Sequence, residues 1–358
     1  MATGARSDRS VRTAVVLTGL FVLLAVLFLL RIAAGSVAIP AGDVLRVLFG
    51  APVERASVPT IIHQFRIPRA VAALLAGSAL GVSGATMQTM FRNPLAGPFV
   101  LGVNAGASLG AALVLLGFAG SLGGVATGVL GAGIEGSSAF VLAFAAFAGA
   151  AMLMLLILAM SRIVSNPVTL LVIGILAGYA VNAVVSVMIY SAGAEQVQSY
   201  IAWTFGSFAG VSRSQLPVLG SGVAIGLLMV FSSIRMLDAS LLGERYAESL
   251  GVSPRLIRRR VILSTAFLAG PVTAFCGPIA FIGMATPHLV RALTGRSTHR
   301  ILLWGSFAAG GALALGGDII ASVPGSDISL PLNAITALFG APVVIGVLLG
   351  GKRLETRV

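Results

Sequence analysis

Residues 14–30, AVVLTGLFVLLAVLFLL, form an unbroken apolar run with Arg31 directly behind it. A hydrocarbon core about 30 Å thick takes roughly 20 apolar residues as a helix, because a helix satisfies its own backbone polar groups there. Further runs fall at 68–90, 97–118, 139–160, 168–190, 216–235, 260–276, 279–294, 301–320 and 333–350. Only 9% of the 358 residues are charged and 57% are hydrophobic, whereas soluble domains carry about 25% charged residues. So few charges do not cover a water-facing surface. The sequence therefore predicts an all-α polytopic membrane protein of about ten transmembrane helices. It reads as one transmembrane domain over 1–358, with a polar tail at 1–13 and its largest inside loop at 236–259. No small-residue cleavage site follows the first run cleanly, which favours a retained span over a signal peptide.

The formal net charge of +12 would raise nucleic acid in a soluble chain. Here the arginines sit at the edges of apolar runs, and no basic face is interleaved with aromatics. With the N-terminus inside, Arg6, Arg9, Arg12, Arg92, Arg162 and the basic residues of 235–260, 291–300 and 352–357 all fall on the cytoplasmic side. Arg31, Arg46, Arg55, Arg66, Arg69 and Arg213 fall outside, a clear positive-inside bias. Both termini are then cytoplasmic. The single cysteine, Cys276, and three dispersed histidines offer no metal-ligand spacing. Outside, residues 42–49 read as an amphipathic piece, and Tyr200, Trp203 and Phe205 as interfacial aromatics.

Small residues recur at four-residue spacing: Gly102, Gly106 and Gly110, then Gly174 and Gly178, Gly222 and Gly226, and Gly346 and Gly350. Such positions let helix backbones approach closely in lipid. None belongs to a phosphate loop, since no GxxxxGK[ST] occurs. Gly77, Gly84 and Pro94 share their spacing with Gly270, Gly277 and Pro287, as an inverted repeat would. Coincidence in so glycine-rich a chain is the competing reading.

Coupling ions need ionisable groups within the membrane. Of the acidic residues only Asp318 falls within a predicted span, near its outer end, and His288 reads better as a packed, hydrogen-bonded histidine. An external engine is implied. Attention passes to SLLGERYAESLGVSPRLIRRR (240–260), where Leu241, Leu242, Tyr246 and Leu250 fall near one helical face. Gly251 is placed to end that helix, and Ser253–Pro254 to start another. A short amphipathic helix suits a groove on a soluble partner, and a solvated loop is the equally weighted alternative.

RIPRAVAALLAGSALGVSGATMQTMFRNPLAGPFVLGVNAGASLGA (66–111) resembles a signature of the FecCD family of ABC importer permeases for ferric siderophores, haem and cobalamin. LLGERYAESLGVSPRLIRRR (241–260), GPIAFIGMATPHLVRALTG (277–295) and LPLNAITALFGAPVVIGVLL (330–349) resemble three more. The resemblance implies ten helices per subunit, a second permease subunit (the same chain or a different one), two ATPase subunits holding ATP-Mg, and an extracytoplasmic binding protein. It implies a bacterial inner-membrane location and no cofactor or metal on this chain. By motif, Arg66 and Arg69 match the family's docking arginines for the binding protein. Leu241, Leu242, Gly243, Glu244, Ala247, Leu250, Gly251 and Val252 match its ATPase-coupling segment. Asn93, Pro94, Asn166 and Pro167 fall where the family gates near its inner mouth. Relatives often carry arginine where this chain has Ser322, and glutamate where it has Ser329, so a third docking arginine is missing from its usual place.

The reading is a permease subunit of a type II importer that moves an iron(III)-siderophore chelate inward and performs no bond chemistry. Haem or cobalamin is the alternative cargo. An ion-coupled secondary transporter is the rival from a different class.

Overall fold

A computed structural model describes residues 2–35, 37, 39–116, 137–164, 166–322 and 330–355. The expectation attached to Ser329 lies outside the described residues. Helices occupy each predicted run: α1 (Ala2–Ala33), α4 (Ile67–Phe91), α5 (Val103–Leu115), α6 (Ser137–Ile163), α7 (Pro167–Ser191), α9 (Leu216–Phe231), α12 (Pro254–Cys276), α13 (Ile282–Thr294), α14 (His299–Ala321) and α15 (Leu332–Glu355). Shorter helices lie between them: α2 (Ala41–Leu48), α3 (Ser57–Ile61), α8 (Ala194–Thr204), α10 (Ile234–Leu241) and α11 (Glu244–Ser249). Among the described residues, five stretches are long and apolar enough to cross a membrane unaided, or six when α9 and α10, bent by 52°, count as one. Of the remaining apolar helices, α5 and α13 are short, and α12 begins with the charges Arg255, Arg258, Arg259 and Arg260. Along α7, Val168, Val172, Leu176, Val184 and Val187 are exposed, a face that lipid or a second subunit must cover.

The chain divides into two compact units. The first comprises Met1–Ala85, Phe208–Leu216 and Ala280–Val358. Its axis is the start of α4, preceded without a break by α3 and a π-helical turn, Ile62–Arg66. Ala70, Ala73, Ala76, Leu80 and Val82 are fully buried. A Cβ on Gly77 would fall on the Gly310 carbonyl of α14, and one on Gly84 on the Gly283 carbonyl of α13. These helices meet backbone to backbone.

The second unit comprises Thr86–Ser207 and Pro217–Ile279. Here α5 and α6 touch through Gly106 and Gly149, where a Cβ on either would strike the other's carbonyl oxygen. Gly110 abuts the Ala145 carbonyl, and Gly174 the backbone of Val100 and Leu101, whereas Gly178 has only ordinary contact with the Ala105 side chain, 3.7 Å away. In α8, Tyr200 is buried and stacks on Trp203 at 6.3 Å.

The two glycine-proline triads of equal spacing play different parts. Gly77 and Gly84 sit inside one continuous helix. Gly277 instead ends α12 at φ +72°, with Ser207 N–H donating to the Cys276 carbonyl at 2.8 Å. Pro94 lies in a loop while Pro287 lies inside α13. Gly77 and Gly270 both lie inside long helices, whereas the later members of the two triads differ in local structure.

The α5–α6 contact yields a paired prediction. Gly106→Ala must push two backbones apart and should cost about 1–3 kcal/mol, as overpacking does. Gly178→Ala should stay within about 0.5 kcal/mol. Thermal midpoints of the detergent-solubilised variants separate the two outcomes.

Candidate functional site

Two groups of residues carry the functional expectations, one in each unit. In the first unit, three segments converge on a carboxylate. Arg31 closes α1, Arg69 opens α4, and Asp318 and Ser322 end α14. The Arg31 Nε donates to Asp318 Oδ2, and its Nη1 to the Ala34 carbonyl at 2.8 Å. Arg69 clasps the same carboxylate, through Nε to Oδ2 at 2.9 Å and Nη2 to Oδ1 at 2.8 Å. The Arg69 Nη2 also donates to Ser322 Oγ at 2.6 Å, and that hydroxyl in turn donates to the Asp318 carbonyl at 2.7 Å. The Arg31 and Asp318 side chains are each 3% exposed and that of Arg69 is 20% exposed.

Arg66 belongs to a different job. It donates from Nη1 to the carbonyls of Ile32 (3.0 Å) and Ala33 (2.6 Å), and from Nη2 to that of Val37. The last carbonyls of a helix lack intrahelical partners and carry its negative dipole end. A guanidinium supplied from the π turn satisfies them and fixes the end of α1. Room for it comes from Gly35, where a Cβ would lie 2.8 Å from Nη2.

Arg66 and Arg69 were expected as exposed guanidiniums awaiting a partner's carboxylates. The structure gives both of them internal acceptors instead. The physical reason is accounting: a buried carboxylate needs cations and a helix end needs donors. Arg31, read from sequence only as a topology marker, turns out to be a member of the cluster. The available signal was Asp318, an acid in an apolar run, since an intramembrane charge requires a named counter-ion.

In the second unit the polar loop is helical. α10 ends at Leu241, and Gly243 leads into α11. The stop of α11 is a pair of hydrogen bonds, Gly251 N–H to the Glu248 carbonyl and Val252 N–H to the Ala247 carbonyl, both 2.9 Å. This is the Schellman arrangement, and Gly251 supplies its left-handed residue at φ +78°. Ala247 is fully buried, while Leu241, Leu242, Tyr246 and Leu250 are exposed. Proline then opens α12 at Pro254.

The four residues expected at an inner mouth have clear local roles. Asn93 Oδ1 accepts from Leu95 N–H at 2.9 Å, an Asx turn holding Pro94. Asn166 caps α7, its Oδ1 accepting from Val168 N–H at 2.8 Å with Pro167 in the first turn. Among the described residues no three metal-binding side chains come together.

Removing the shared carboxylate is the decisive test of the cluster. Asp318→Asn leaves two guanidiniums without their counter-ion and should cost about 3–5 kcal/mol, as breaking a buried pair does. Ser322→Ala removes one hydrogen bond and should cost about 1 kcal/mol. Thermal unfolding of the solubilised variants reads both.

The sequence matches the FecCD transport family over residues 23–350. It is 35% identical over 337 residues to the vitamin B12 import system permease protein BtuC of Klebsiella pneumoniae, covering 94% of each chain. The BtuC of Citrobacter koseri is equally similar over 338 residues. Among solved structures, an inward-facing transporter described as of metal-chelate ABC type superposes with a TM-score of 0.78 at 26% identity, covering 93% of this chain and 98% of that one. PsaBC from Streptococcus pneumoniae shares the fold, with a TM-score of 0.52 at 14% identity over 78% of this chain. The chain belongs to the FecCD transport family and is a multi-pass permease subunit of a type II ABC importer.

Proposed function

We propose that this permease pairs with a second permease subunit in a bacterial inner membrane and carries a metal chelate inward by alternating access. The observation that carries the reading is 35% identity, over 94% of both chains, to permeases named for vitamin B12 import. Cobalamin is accordingly the first cargo to test. A ferric siderophore is the second reading, favoured by the likeness to a transporter described as of metal-chelate type.

The parts divide as follows. An extracytoplasmic binding protein docks over the outer cluster, where Arg69 keeps a partly exposed edge and Arg66 fixes the adjoining end of α1. ATPase subunits, which bind ATP-Mg, seat on 241–252, where Leu242, Tyr246 and Leu250 stand exposed and unpaired by this chain's own packing. The turns at Asn93–Pro94 and Asn166–Pro167 border the inner mouth. Docking energy at the outer face comes from charge-assisted hydrogen bonds, and the free energy of transport from ATP on the partner.

Uptake of radiolabelled cobalamin, ferric siderophores and haem in cells with and without the gene tests cargo and class together. Loss of one substrate, abolished also by ATP depletion, is the expected result. Uptake that survives ATP depletion and collapses with the ion gradient would overturn the importer reading. Coupling has its own test. Gly251→Val puts a β-branched residue at φ +78°, at a local cost of about 1–2 kcal/mol. Transport per ATP hydrolysed in proteoliposomes should then fall, and an unchanged ratio would remove this loop from the coupling path.

A further inference from the structure

The last turn of α4 ends in a conformation that ordinarily calls for glycine, yet an arginine holds it. Arg92 sits at φ +47°. Its N–H donates to the Thr89 carbonyl at 3.3 Å, and Asn93 N–H to the Gln88 carbonyl at 3.2 Å. That is the same pair of bonds that ends α11, where Gly251 occupies the left-handed position. Two helix stops in one unit share a design, and one of them tolerates a side chain that strains it. Strain of this kind persists where the surroundings use the residue.

The Arg92 side chain is exposed and borders a shallow, open groove together with Leu242, Gly243, Arg245, Tyr246 and Ser249. At about 100° per residue, Arg245, Tyr246 and Ser249 share one side of α11. The groove is therefore flanked by two guanidiniums beside an exposed leucine and tyrosine.

We infer that Arg92 is part of the ATPase seat, and that the groove takes an acidic side chain of the ATPase subunit between Arg92 and Arg245. The inference rests on the proposed seating of an ATPase on 241–252. Guanidiniums suit this role because they present several donors to one carboxylate in a fixed fork. Arg92 also adjoins the Asx turn at Asn93, which holds Pro94 and receives Ala96 N–H on its carbonyl at 3.1 Å.

The test measures affinity between the solubilised permease and its P-loop ATPase by biolayer interferometry, at about 0.05 M and 0.5 M salt, where screening differs severalfold. Arg92→Gly keeps the helix stop, relieves the strain and removes the whole side chain with its guanidinium. It should raise Kd about tenfold at low salt, with an undiminished thermal midpoint, and the difference should shrink at high salt. Arg92→Lys should recover part of the affinity, and Arg92→Glu should bind more weakly than Arg92→Gly. Wild-type affinity in Arg92→Gly at low salt would overturn this inference and leave the importer reading standing. Failure of the folded wild-type permease to bind any ATPase would overturn both.

Discussion

Helices in lipid gain little by burying one leucine against another, because the hydrocarbon outside is as apolar as the neighbour inside. What holds this chain together is close backbone contact, and that constraint decides where glycine must stand. Gly84 against Gly283 and Gly106 against Gly149 leave no room for a methyl group. At that range every backbone atom on both helices gains dispersion contacts that a bulkier residue would forfeit. The exposed valines and leucines of α7 show the converse. They are free to be large because nothing in this chain has to fit them.

The same medium makes each charge expensive and therefore informative. Arg31 and Arg69 share the one carboxylate of Asp318, so its removal leaves two guanidiniums without a counter-charge in a poorly solvated place. Arg66 solves a neighbouring problem by satisfying carbonyls that α1 cannot satisfy itself. Three arginines drawn from the ends of α1, the π turn and α4 thus organise one end of the first unit. Only the 20% of the Arg69 side chain that stays exposed remains for a partner.

Much of the helical layout was legible in the sequence because it depends on one-dimensional signals. Apolar runs locate the helices, Gly251 marks a stop, and Asn166–Pro167 and Ser253–Pro254 mark starts. Partnerships between distant segments were not legible. Arg31 and Asp318 stand 287 residues apart, and no local pattern pairs them. Arg66 looked like an exposed docking residue because sequence shows a motif without showing that α3 and the π turn extend α4 beyond it. The equal spacing of the two glycine-proline triads likewise did not show which glycine ends a helix. A glycine inside a helix and a glycine ending one are identical in sequence and opposite in structure.

The outer cluster also bears on what drives transport. An ion-coupled carrier needs an intramembrane carboxylate that can exchange its partner for the travelling ion. Asp318 is the one acid that a predicted span contains, and two guanidiniums already occupy both of its oxygens. Those cations are tethered to the chain, so a free ion competes against partners present at effectively permanent local concentration. Displacing one of them would also strand a buried guanidinium, a cost of several kcal/mol that a single bound cation does not repay. The carboxylate best placed to carry a coupling ion is committed to holding the fold, and the work of transport must enter from another subunit.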